Sequence, residues 1–414
     1  RKNALYRPVC AVQACQQKGL FVPSDSSRPV RVWLWCVAAL VFITVLVGGM
    51  TRLTESGLSI VEWRPVTGMV PPLSQSEWEA EFAKYKVIPQ YELVNRGMSL
   101  DDFKVIFWWE WVHRILGRLI GVAFLLPFLW FLWRGAIAPG MRAGLASIFV
   151  LGAIQGGVGW WMVSSGLADR VHVSHDRLAF LFTLACVIYA AIVWTASRLR
   201  PATAAALAPT RLRVAAYVLV GVSLLQFYLG ALVAGLRAGL IYNTWPLMDE
   251  RFIPRAADLF FASPFWINFI ENAMTVQFDH RMVGYVLFLV ALVHLFDVWR
   301  TRDRGEDTLG WAAAILLVMV GQIGLGVLTL IHHAPIDLAL LHQAGAMIVL
   351  TMVVLHAERL TPRRAEQGRG KARAGSLIRR TTRRFAAADS TRGPSVGEGR
   401  ADRLSCRRTL FRAG

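Results

Sequence analysis

The feature that most constrains this chain is a series of eight stretches of mostly apolar residues. They lie at 32–51, 105–133, 142–163, 177–197, 213–234, 280–299, 310–331 and 338–358. A helix of about 20 apolar residues spans the hydrocarbon core of a bilayer. Charged residues make up only 17% of the sequence, whereas a soluble domain has about 25%. The sequence therefore predicts an all-α integral membrane protein with eight transmembrane helices, and it excludes a string of soluble domains.

The basic charge of the chain is concentrated at its C-terminus. The formal net charge is +18, and residues 360–414 hold 15 Lys and Arg against 4 Asp and Glu. Beside a membrane span, such a segment is typical of a cytoplasmic end that faces anionic lipid, and it does not indicate nucleic-acid binding. The short loops are also basic, whereas the long loops 52–104 and 235–279 carry more acid than base. Both termini are therefore expected on the cytoplasmic (or matrix) side.

The chain contains an internal repeat. "EWVHRILGRLIG" at the second span resembles "QFDHRMVGYVLF" at the sixth, and "VLGAIQGGVGWWMV" in the third resembles "VMVGQIGLGVLTLI" in the seventh. Because each copy has an even number of spans, both copies enter the membrane from the same side. We therefore expect two four-helix bundles related by a pseudo-two-fold axis along the membrane normal. The predicted units are a cytoplasmic N-terminal segment, a first repeat, a linker, a second repeat and a basic, disordered tail, at 1–31, 32–198, 199–212, 213–358 and 359–414.

Three of the nine histidines are candidate ligands of a haem iron. His113 and His280 hold the same position in the two repeats, each followed by an arginine, and His342 lies at the outer end of the eighth span. Two histidines on facing helices of one bundle can bind a haem iron from both sides, so His280 and His342 form a candidate pair. The alternative is hydrogen bonding between helices. The other six histidines are expected at helix ends in the wet interface: His172, His175, His294, His332, His333 and His356.

Two charged residues stand beside these histidines. Arg281 offers a cation near a haem propionate, and Glu110 lies three residues before His113, so that Glu110 and His113 project from one helical face. The counterpart of Glu110 in the second repeat is Gln277. This difference predicts different roles for the two sites, with Glu110 accepting protons or stabilising positive charge on a substrate. The alternative is a helix-start glutamate that faces the aqueous phase.

At these residues the sequence resembles a known family. The segments "GGMTRLTESGLSIVEWRPVTGMVPPLSQSEWEAEF", "EWVHRILGRLIG", "GLIYNTWPLMD" and "VQFDHRMVGY" look like the haem A synthases of mitochondria and proteobacteria, and the resemblance covers residues 32–358. It implies oxidation of the C8 methyl group of haem O to a formyl group, which gives haem A for cytochrome oxidase. It also implies a haem b cofactor in the C-terminal half with His280 and His342 as axial ligands. In the N-terminal half, His113 would face the iron of the substrate haem, with Glu110 as the catalytic acid/base or charge stabiliser.

The resemblance also implies where the protein works and with what. The expected location is the bacterial inner membrane, and the mitochondrial inner membrane is the alternative. The expected partners are haem O as substrate, the lipid bilayer, a haem O synthase and an electron donor such as a ferredoxin. Assembly into a homo-oligomer stays open.

The chain departs from the family pattern in the fourth span. The pattern reads V-S-x-Y-R-L-A-x-H-L, whereas this chain has "VSHDRLAFLF", with Asp176 in place of the aromatic residue and Leu181 in place of the histidine. A leucine cannot bind iron. His175 lies six residues earlier, which is about 9 Å along a helix, and it is a poor substitute. Either the substrate haem binds through His113 alone, or this copy is impaired.

Two other functions compete with haem oxidation. A membrane b-type cytochrome that exchanges electrons with quinone would explain the histidines, but neither the difference between Glu110 and Gln277 nor the long outer loop. A transporter would explain the repeat, but transporters place broken helices and polar residues at mid-membrane, whereas these histidines cluster near one face. A haem-modifying oxidoreductase is therefore the leading hypothesis.

Overall fold

The computed structural model describes residues 27–64, 67–167, 170–200, 208–301 and 306–362. Within these ranges the chain is almost entirely helical, and the β pairing found there is an isolated bridge between Met248 and Arg251. The predicted disordered tail, from residue 363 onward, lies outside the described residues. The same holds for residues 1–26 of the predicted N-terminal segment and 201–207 of the predicted linker.

Among the described residues, eight helices are long and apolar enough to cross a membrane. We label them α1 to α8, with the bounds Ser27–Leu53, Leu100–Trp133, Pro139–Leu167, His175–Arg198, Thr210–Gly235, Ala273–Arg300, Glu306–Ile331 and Ile336–Leu360. Each contains one of the apolar stretches from which a span is predicted. The all-α, multi-pass membrane class is confirmed.

The helices α2 and α6 begin well before their apolar stretches, because polar side chains cap them. At α2, Ser99 and Asp102 form a capping box in which each side chain accepts a hydrogen bond from the backbone N–H of the other residue. At α6, the side chain of Asn272 accepts a hydrogen bond from the second helical N–H. His113 and His280 therefore lie more than one turn inside their helices rather than at the helix ends.

The two predicted repeats correspond to helices α1–α4, which we call the first group, and α5–α8, the second group. In the first group α2 and α4 each contact α1 and α3, and in the second group α6 and α8 each contact α5 and α7. The groups meet where α4 packs against α5 and α8, and where α1 packs against α8. This pattern agrees with two four-helix units, and the pseudo-two-fold axis between them stays a prediction. The helices that carry the candidate ligands occupy opposite corners of their group.

The main apolar core lies where the two groups meet. Its fully buried side chains include Leu34 of α1, Val193 of α4 and Leu350 of α8. In contrast, large apolar side chains such as Leu126 of α2 and Leu317 of α7 are exposed on the protein surface. Apolar side chains cover the outside of a protein where lipid is the solvent. The low charged fraction of the sequence is thereby explained.

Two long segments, 54–99 and 236–272, follow α1 and α5 and lie at the same end of the helices, which we call the loop end. In the first segment a short helix, Gln75–Tyr85, packs against the start of α2. The rings of Phe82 and Phe103 stack there with centroids 4.9 Å apart. This segment is therefore held in place by an aromatic cluster of its own.

An ionic cluster joins the two groups at the loop end. Arg237, which follows α5, pairs with Glu55 and lies 3.2 Å from Nε2 of His172. Burial, followed by the charge of Arg237, lowers the pKa of His172, so a neutral imidazole can accept a hydrogen bond from the guanidinium. Arg52 of α1 donates to the carbonyl oxygen of Ala234 at 3.0 Å. These contacts tie the end of α1 to the end of α5.

His294 of α6 and His356 of α8 are buried, and the expectation that they lie in the wet interface is wrong. They are only 2% and 1% exposed, and their Nε2 atoms are 2.8 Å apart, so one imidazole donates to the other. A buried polar group in a membrane protein needs a partner, because lipid offers none. The pair joins α6 to α8 in the half of the helices away from the loop end.

Replacing His294 with alanine is expected to lower the free energy of unfolding by about 1–3 kcal/mol, because His356 then keeps a buried nitrogen without a partner. The double variant His294→Leu/His356→Leu is expected to lose less, since no unpaired imidazole remains in the interior. Thermal unfolding in detergent, followed by circular dichroism, measures both effects. A double variant that unfolds at a lower temperature than the single variant would contradict the argument.

Candidate functional site

The imidazoles of His113 and His280 occupy equivalent positions in the two groups, each against a glycine of the neighbouring helix. A Cβ atom on Gly48 of α1 would lie 2.9 Å from Cε1 of His113, and one on Gly230 of α5 would lie 3.1 Å from Cε1 of His280. A contact of 2.9 Å leaves no room for a side chain, and one of 3.1 Å would force the imidazole to shift, so each imidazole packs closely against a glycine of the neighbouring helix. In both histidines Nδ1 is buried and has no hydrogen-bond partner in the described part of the chain.

The imidazole of His342 lies in the same way against a glycine of α7. A Cβ atom on Gly326 would lie 2.8 Å from its Cε1. The side-chain amide of Gln322 donates to the carbonyl oxygen of His342 at 2.7 Å, and that of Gln226 donates to the carbonyl oxygen of His280 at 3.0 Å. Each histidine of the candidate pair is therefore flanked by a glycine and a glutamine from the adjacent helix.

Leu181 of α4 has the same surroundings in the first group that His342 has in the second. Gln155 of α3 donates to the carbonyl oxygen of Leu181 at 2.9 Å, as Gln322 does to that of His342. A Cβ atom on Gly159 would lie 3.9 Å from Cδ1 of Leu181. The leucine therefore stands where the repeat carries a candidate ligand, as the sequence pattern predicts.

His175 lies at the first turn of α4 and is engaged elsewhere. Its Nε2 lies 3.3 Å from a carboxylate oxygen of Glu271, a residue of the segment before α6. A Cβ atom on Gly235 would collide with His175, so this histidine is packed against the end of α5. It is buried, and the expectation of a wet interface is wrong here as well. The prediction that His175 is a poor substitute for the missing ligand agrees with these contacts.

The second group has donor atoms that suit a haem. The candidate pair is carried by α6 and α8, at opposite corners of the group, and Nδ1 of His280 is a buried nitrogen without a partner in the described residues. Across the same ranges, no group of three or more His, Cys, Asp or Glu side chains is arranged to bind a metal ion. A haem needs only axial nitrogens from the protein, because the porphyrin supplies the other iron ligands. Two imidazoles meet that requirement.

Glu110 of α2 is only 3% exposed, and its carboxylate accepts four hydrogen bonds. Oε2 accepts from the hydroxyl of Ser59 and from the N–H of Ile60, both at 2.8 Å. Oε1 accepts from Nε and Nη2 of Arg114, at 3.0 and 2.6 Å. The alternative of a helix-start glutamate in the aqueous phase is therefore wrong. The carboxylate is a fixed, buried anion one helical turn from His113.

The second group lacks this arrangement. Gln277 donates to the carbonyl oxygen of Tyr242 at 2.7 Å, and its own Oε1 is buried without a partner among the described residues. Arg281 donates to three backbone carbonyl oxygens of the segment after α5, those of Tyr242, Thr244 and Leu247. Arg281 therefore anchors this segment, a role in addition to the predicted one beside a propionate.

Sequence reasoning missed the three glutamines that bond the backbone at these sites. The sequence does contain a pattern that identifies them. Each glutamine stands four residues before the glycine that contacts a histidine or Leu181: "QGGVG" at Gln155, "QFYLG" at Gln226 and "QIGLG" at Gln322. Residues four apart lie on one helical face. With this spacing, the glutamine offers an amide donor to the neighbouring helix, and the glycine leaves space for a side chain of that same helix.

Known proteins resemble the chain over most of its length. Residues 31–354 match the COX15-CtaA family, whose members are described as cytochrome oxidase assembly proteins. A protein named heme A synthase from Rhodopseudomonas palustris strain TIE-1 is 57% identical, over 81% of this chain and 90% of its own length. Another of that name, from Bradyrhizobium sp. strain BTAi1, is 58% identical over 81% of this chain and 92% of its own length. With this identity over most of both chains, the protein belongs to the haem A synthase family.

Proposed function

We propose that the protein oxidises the C8 methyl group of haem O to a formyl group, in successive hydroxylations, and so makes haem A for cytochrome oxidase. The relatives named heme A synthase support this activity. The observation that carries the proposal is a repeated packing arrangement, in which an imidazole lies against a glycine of the neighbouring helix. It occurs at His113 in the first group and at His280 and His342 in the second. Two such places in one chain suit one haem as substrate and another as cofactor.

In the second group, residues 213–358, His280 and His342 are the proposed axial ligands of haem b. This cofactor supplies one-electron transfer when it is bound. Gly230 and Gly326 support the assignment, because they leave the space in which the two imidazoles stand. Arg281 is the proposed partner of a propionate.

In the first group, residues 32–198, His113 is the proposed ligand of the substrate iron and Glu110 the proposed catalytic carboxylate. Four hydrogen bonds already end on Glu110, including two from the guanidinium of Arg114. An acceptor held this way is better suited to stabilising positive charge on the substrate than to taking up a proton. Of the two roles predicted for Glu110, the structure therefore favours charge stabilisation.

The proposed setting is the bacterial inner membrane, with both termini on the cytoplasmic side. The bacterial sources of the relatives support this over the mitochondrial alternative. Proposed partners are the bilayer, a haem O synthase that supplies the substrate, and an electron donor such as a ferredoxin. A homo-oligomer stays a prediction.

Expression in cells that make haem O but no haem A tests the proposed function. Haems extracted from the membranes are separated by chromatography and identified by mass, and haem A is the expected product. Haem b without haem A, in protein with a normal pyridine spectrum, would instead favour a membrane b-type cytochrome that serves quinone. Protein without any haem would contradict both functions.

Replacing Leu181 with histidine is expected to raise the ratio of haem A to haem O several-fold. The reason is that Leu181 has the surroundings of His342, so an imidazole there would give the substrate iron a second ligand opposite His113. Gly159 leaves the space for it, as Gly326 does for His342. The ratio is measured in membranes that express each version beside a haem O source.

The variant Leu181→Gln is the matched control, because it adds a polar side chain of similar size that is no haem ligand. It is expected to leave the ratio unchanged or lower. An equal or lower ratio in Leu181→His would show that the substrate site works with one ligand and that the leucine only packs.

A further inference from the structure

The segment 236–272 carries an exposed aromatic patch, which consists of Phe260, Phe261, Phe265, Trp266 and Phe269. The exposed fraction of these side chains ranges from 38% for Phe260 to 72% for Phe261. The rings of Phe260, Phe265 and Phe269 contact one another, with centroids 5.0 to 5.9 Å apart. Residues 259–270 contain no charged side chain. An exposed apolar surface of this kind marks a place where something other than water is bound.

The level of the patch along the helices follows from the packing of the residues beside it. Ile270, next to Phe269, packs against an apolar cluster on α4, α5 and α6, which consists of Ala179, Leu229, Ala231, Leu232 and Val276. Each member of this cluster lies at least three residues inside its helix, which is about 4.5 Å from the helix end. Glu271 contacts His175, the first residue of α4. The patch therefore lies beside the ends of the spans, at the surface of the membrane, rather than above them in water.

The backbone around the patch is hydrogen-bonded within the protein. The side chain of Asn268 accepts from the N–H of Ala262 and donates to the carbonyl oxygens of Ala262 and Phe265, at 2.9 to 3.0 Å. The side chain of Asn272 donates to two further carbonyl oxygens of the segment. Lipid offers no hydrogen bonds, so irregular backbone can enter it only where the polar groups have partners in the protein. The two asparagines supply such partners.

We propose that the aromatic patch is an anchor that inserts into the lipid leaflet at the loop end. Tryptophan is enriched at the membrane–water interface, and segments that lie in this plane bury Trp, Phe and Leu about 5–10 Å into the boundary between headgroups and acyl chains. Gln277 and Arg281 of α6 both donate to the carbonyl oxygen of Tyr242, in the same segment. The anchor therefore also holds the start of α6 at a fixed depth. This role is independent of the proposed chemistry.

The other long segment has a different surface. Its helix Gln75–Tyr85 carries four charged side chains, those of Glu77, Glu79, Glu81 and Lys84. Charged groups are costly to bring into lipid, so this helix belongs in water although it lies at the same end of the spans. The two segments thus offer a matched comparison, in which the uncharged one enters the lipid and the charged one does not.

Electron paramagnetic resonance of single spin labels tests the proposal in the full-length protein, reconstituted into phosphatidylcholine vesicles. The five native cysteines are replaced by alanine, and Phe261→Cys or Trp266→Cys then introduces one label site at a time. These two side chains are 72% and 60% exposed, so that their replacement removes little packing. Collisions of the label are measured with oxygen, which concentrates in lipid, and with a neutral nickel chelate, which stays in water.

Ala80→Cys is the water reference, because Ala80 is exposed between Glu79 and Glu81. Leu126→Cys, on the exposed apolar surface of α2, is the lipid reference. At positions 261 and 266 the ratio of oxygen to nickel collisions is expected to be several-fold higher than at Ala80→Cys. A ratio equal to that at Ala80→Cys would overturn the proposal, because the patch would then face water. Few collisions with either reagent would also overturn it, because protein would then cover the patch.

The double variant Phe261→Ser/Trp266→Ser gives a second readout that needs no label. If the rings lie in lipid, the folded protein loses their burial from water, so that the unfolding temperature in vesicles is expected to fall. If the rings face water, polar replacements leave this temperature unchanged or raise it, which would contradict the anchor. This variant keeps its native cysteines and therefore decides even if the cysteine-free protein does not fold.

Discussion

Replacing either His280 or His342 with alanine is expected to abolish binding of haem b. Each residue supplies one of the two axial nitrogens, and each imidazole occupies space that a glycine of the neighbouring helix leaves free. No other histidine of α6 or α8 can take over, because His294 and His356 lie four turns further along, about 21 Å away, and bond each other. The haem content and the optical spectrum of the purified variants measure the loss.

His356→Ala is the matched control for His342→Ala, since His356 lies on the same face of α8. It breaks the contact with His294 but touches no proposed ligand, so the folded protein is expected to keep its haem b spectrum. A normal low-spin spectrum in both His280→Ala and His342→Ala would contradict the ligand assignment.

The membrane spans could be predicted because hydropathy alone determines which segments enter a bilayer. The starts of α2 and α6 could not be placed the same way, because polar caps at Ser99 and Asn272 extend these helices beyond the apolar residues. Hydropathy carries no information about such caps. The spans are therefore correct, while all eight helices begin two to seven residues before the predicted spans, α6 by the most.

The equivalence of Leu181 and His342 could also be predicted, because it depends only on the alignment of the two repeats. The pair of His294 and His356 could not. Each lies near the end of a span, which predicts the wet interface, and only the fold brings the Nε2 atoms of the two residues within 2.8 Å of each other. A contact between residues distant in the chain leaves no local pattern in the sequence.

The environment of Glu110 was the other feature beyond the reach of the sequence. Its position beside His113 is a matter of helical spacing, but Ser59 and Ile60 belong to the segment after α1 and come to it only through the fold. The comparison with Gln277 suggests that an amide would be tolerated at position 110. The four hydrogen bonds on the Glu110 carboxylate indicate instead that replacing it with an amide would disturb the site.

Glu110→Gln is expected to suppress formation of haem A while haem b content stays near the parental level. Whichever way the new amide points, its NH2 group faces a donor, either the N–H of Ile60 or the guanidinium of Arg114. Gln277 avoids this conflict, because its amide donates to a carbonyl oxygen. Haem analysis of membranes measures the conversion, and the second group, which holds the proposed haem b ligands, is left unaltered.

The same substitution is expected to destabilise the protein, by about 1.5–3 kcal/mol for the loss of a hydrogen bond to a charged group. Glu110→Ala removes the whole carboxylate and is expected to cost about 3 kcal/mol, the lower end for a broken buried ion pair. The reason for the lower end is that Arg114 keeps the carbonyl oxygens of Ile60 and Glu62 as acceptors. Thermal unfolding in detergent ranks the stabilities of the parental protein and the two variants.

Ser59→Ala separates the chemical role of the carboxylate from its structural one. It removes one hydrogen bond from Glu110 and leaves the charge in place. If Glu110 stabilises charge on the substrate, Ser59→Ala retains most of the conversion of haem O, whereas Glu110→Gln loses it. If Glu110 only fastens the segment after α1 to α2, the two variants lose conversion in proportion to their loss of stability. Parental haem A formation in Glu110→Gln would leave the carboxylate without a chemical role, because the fold retains every other group around the first site.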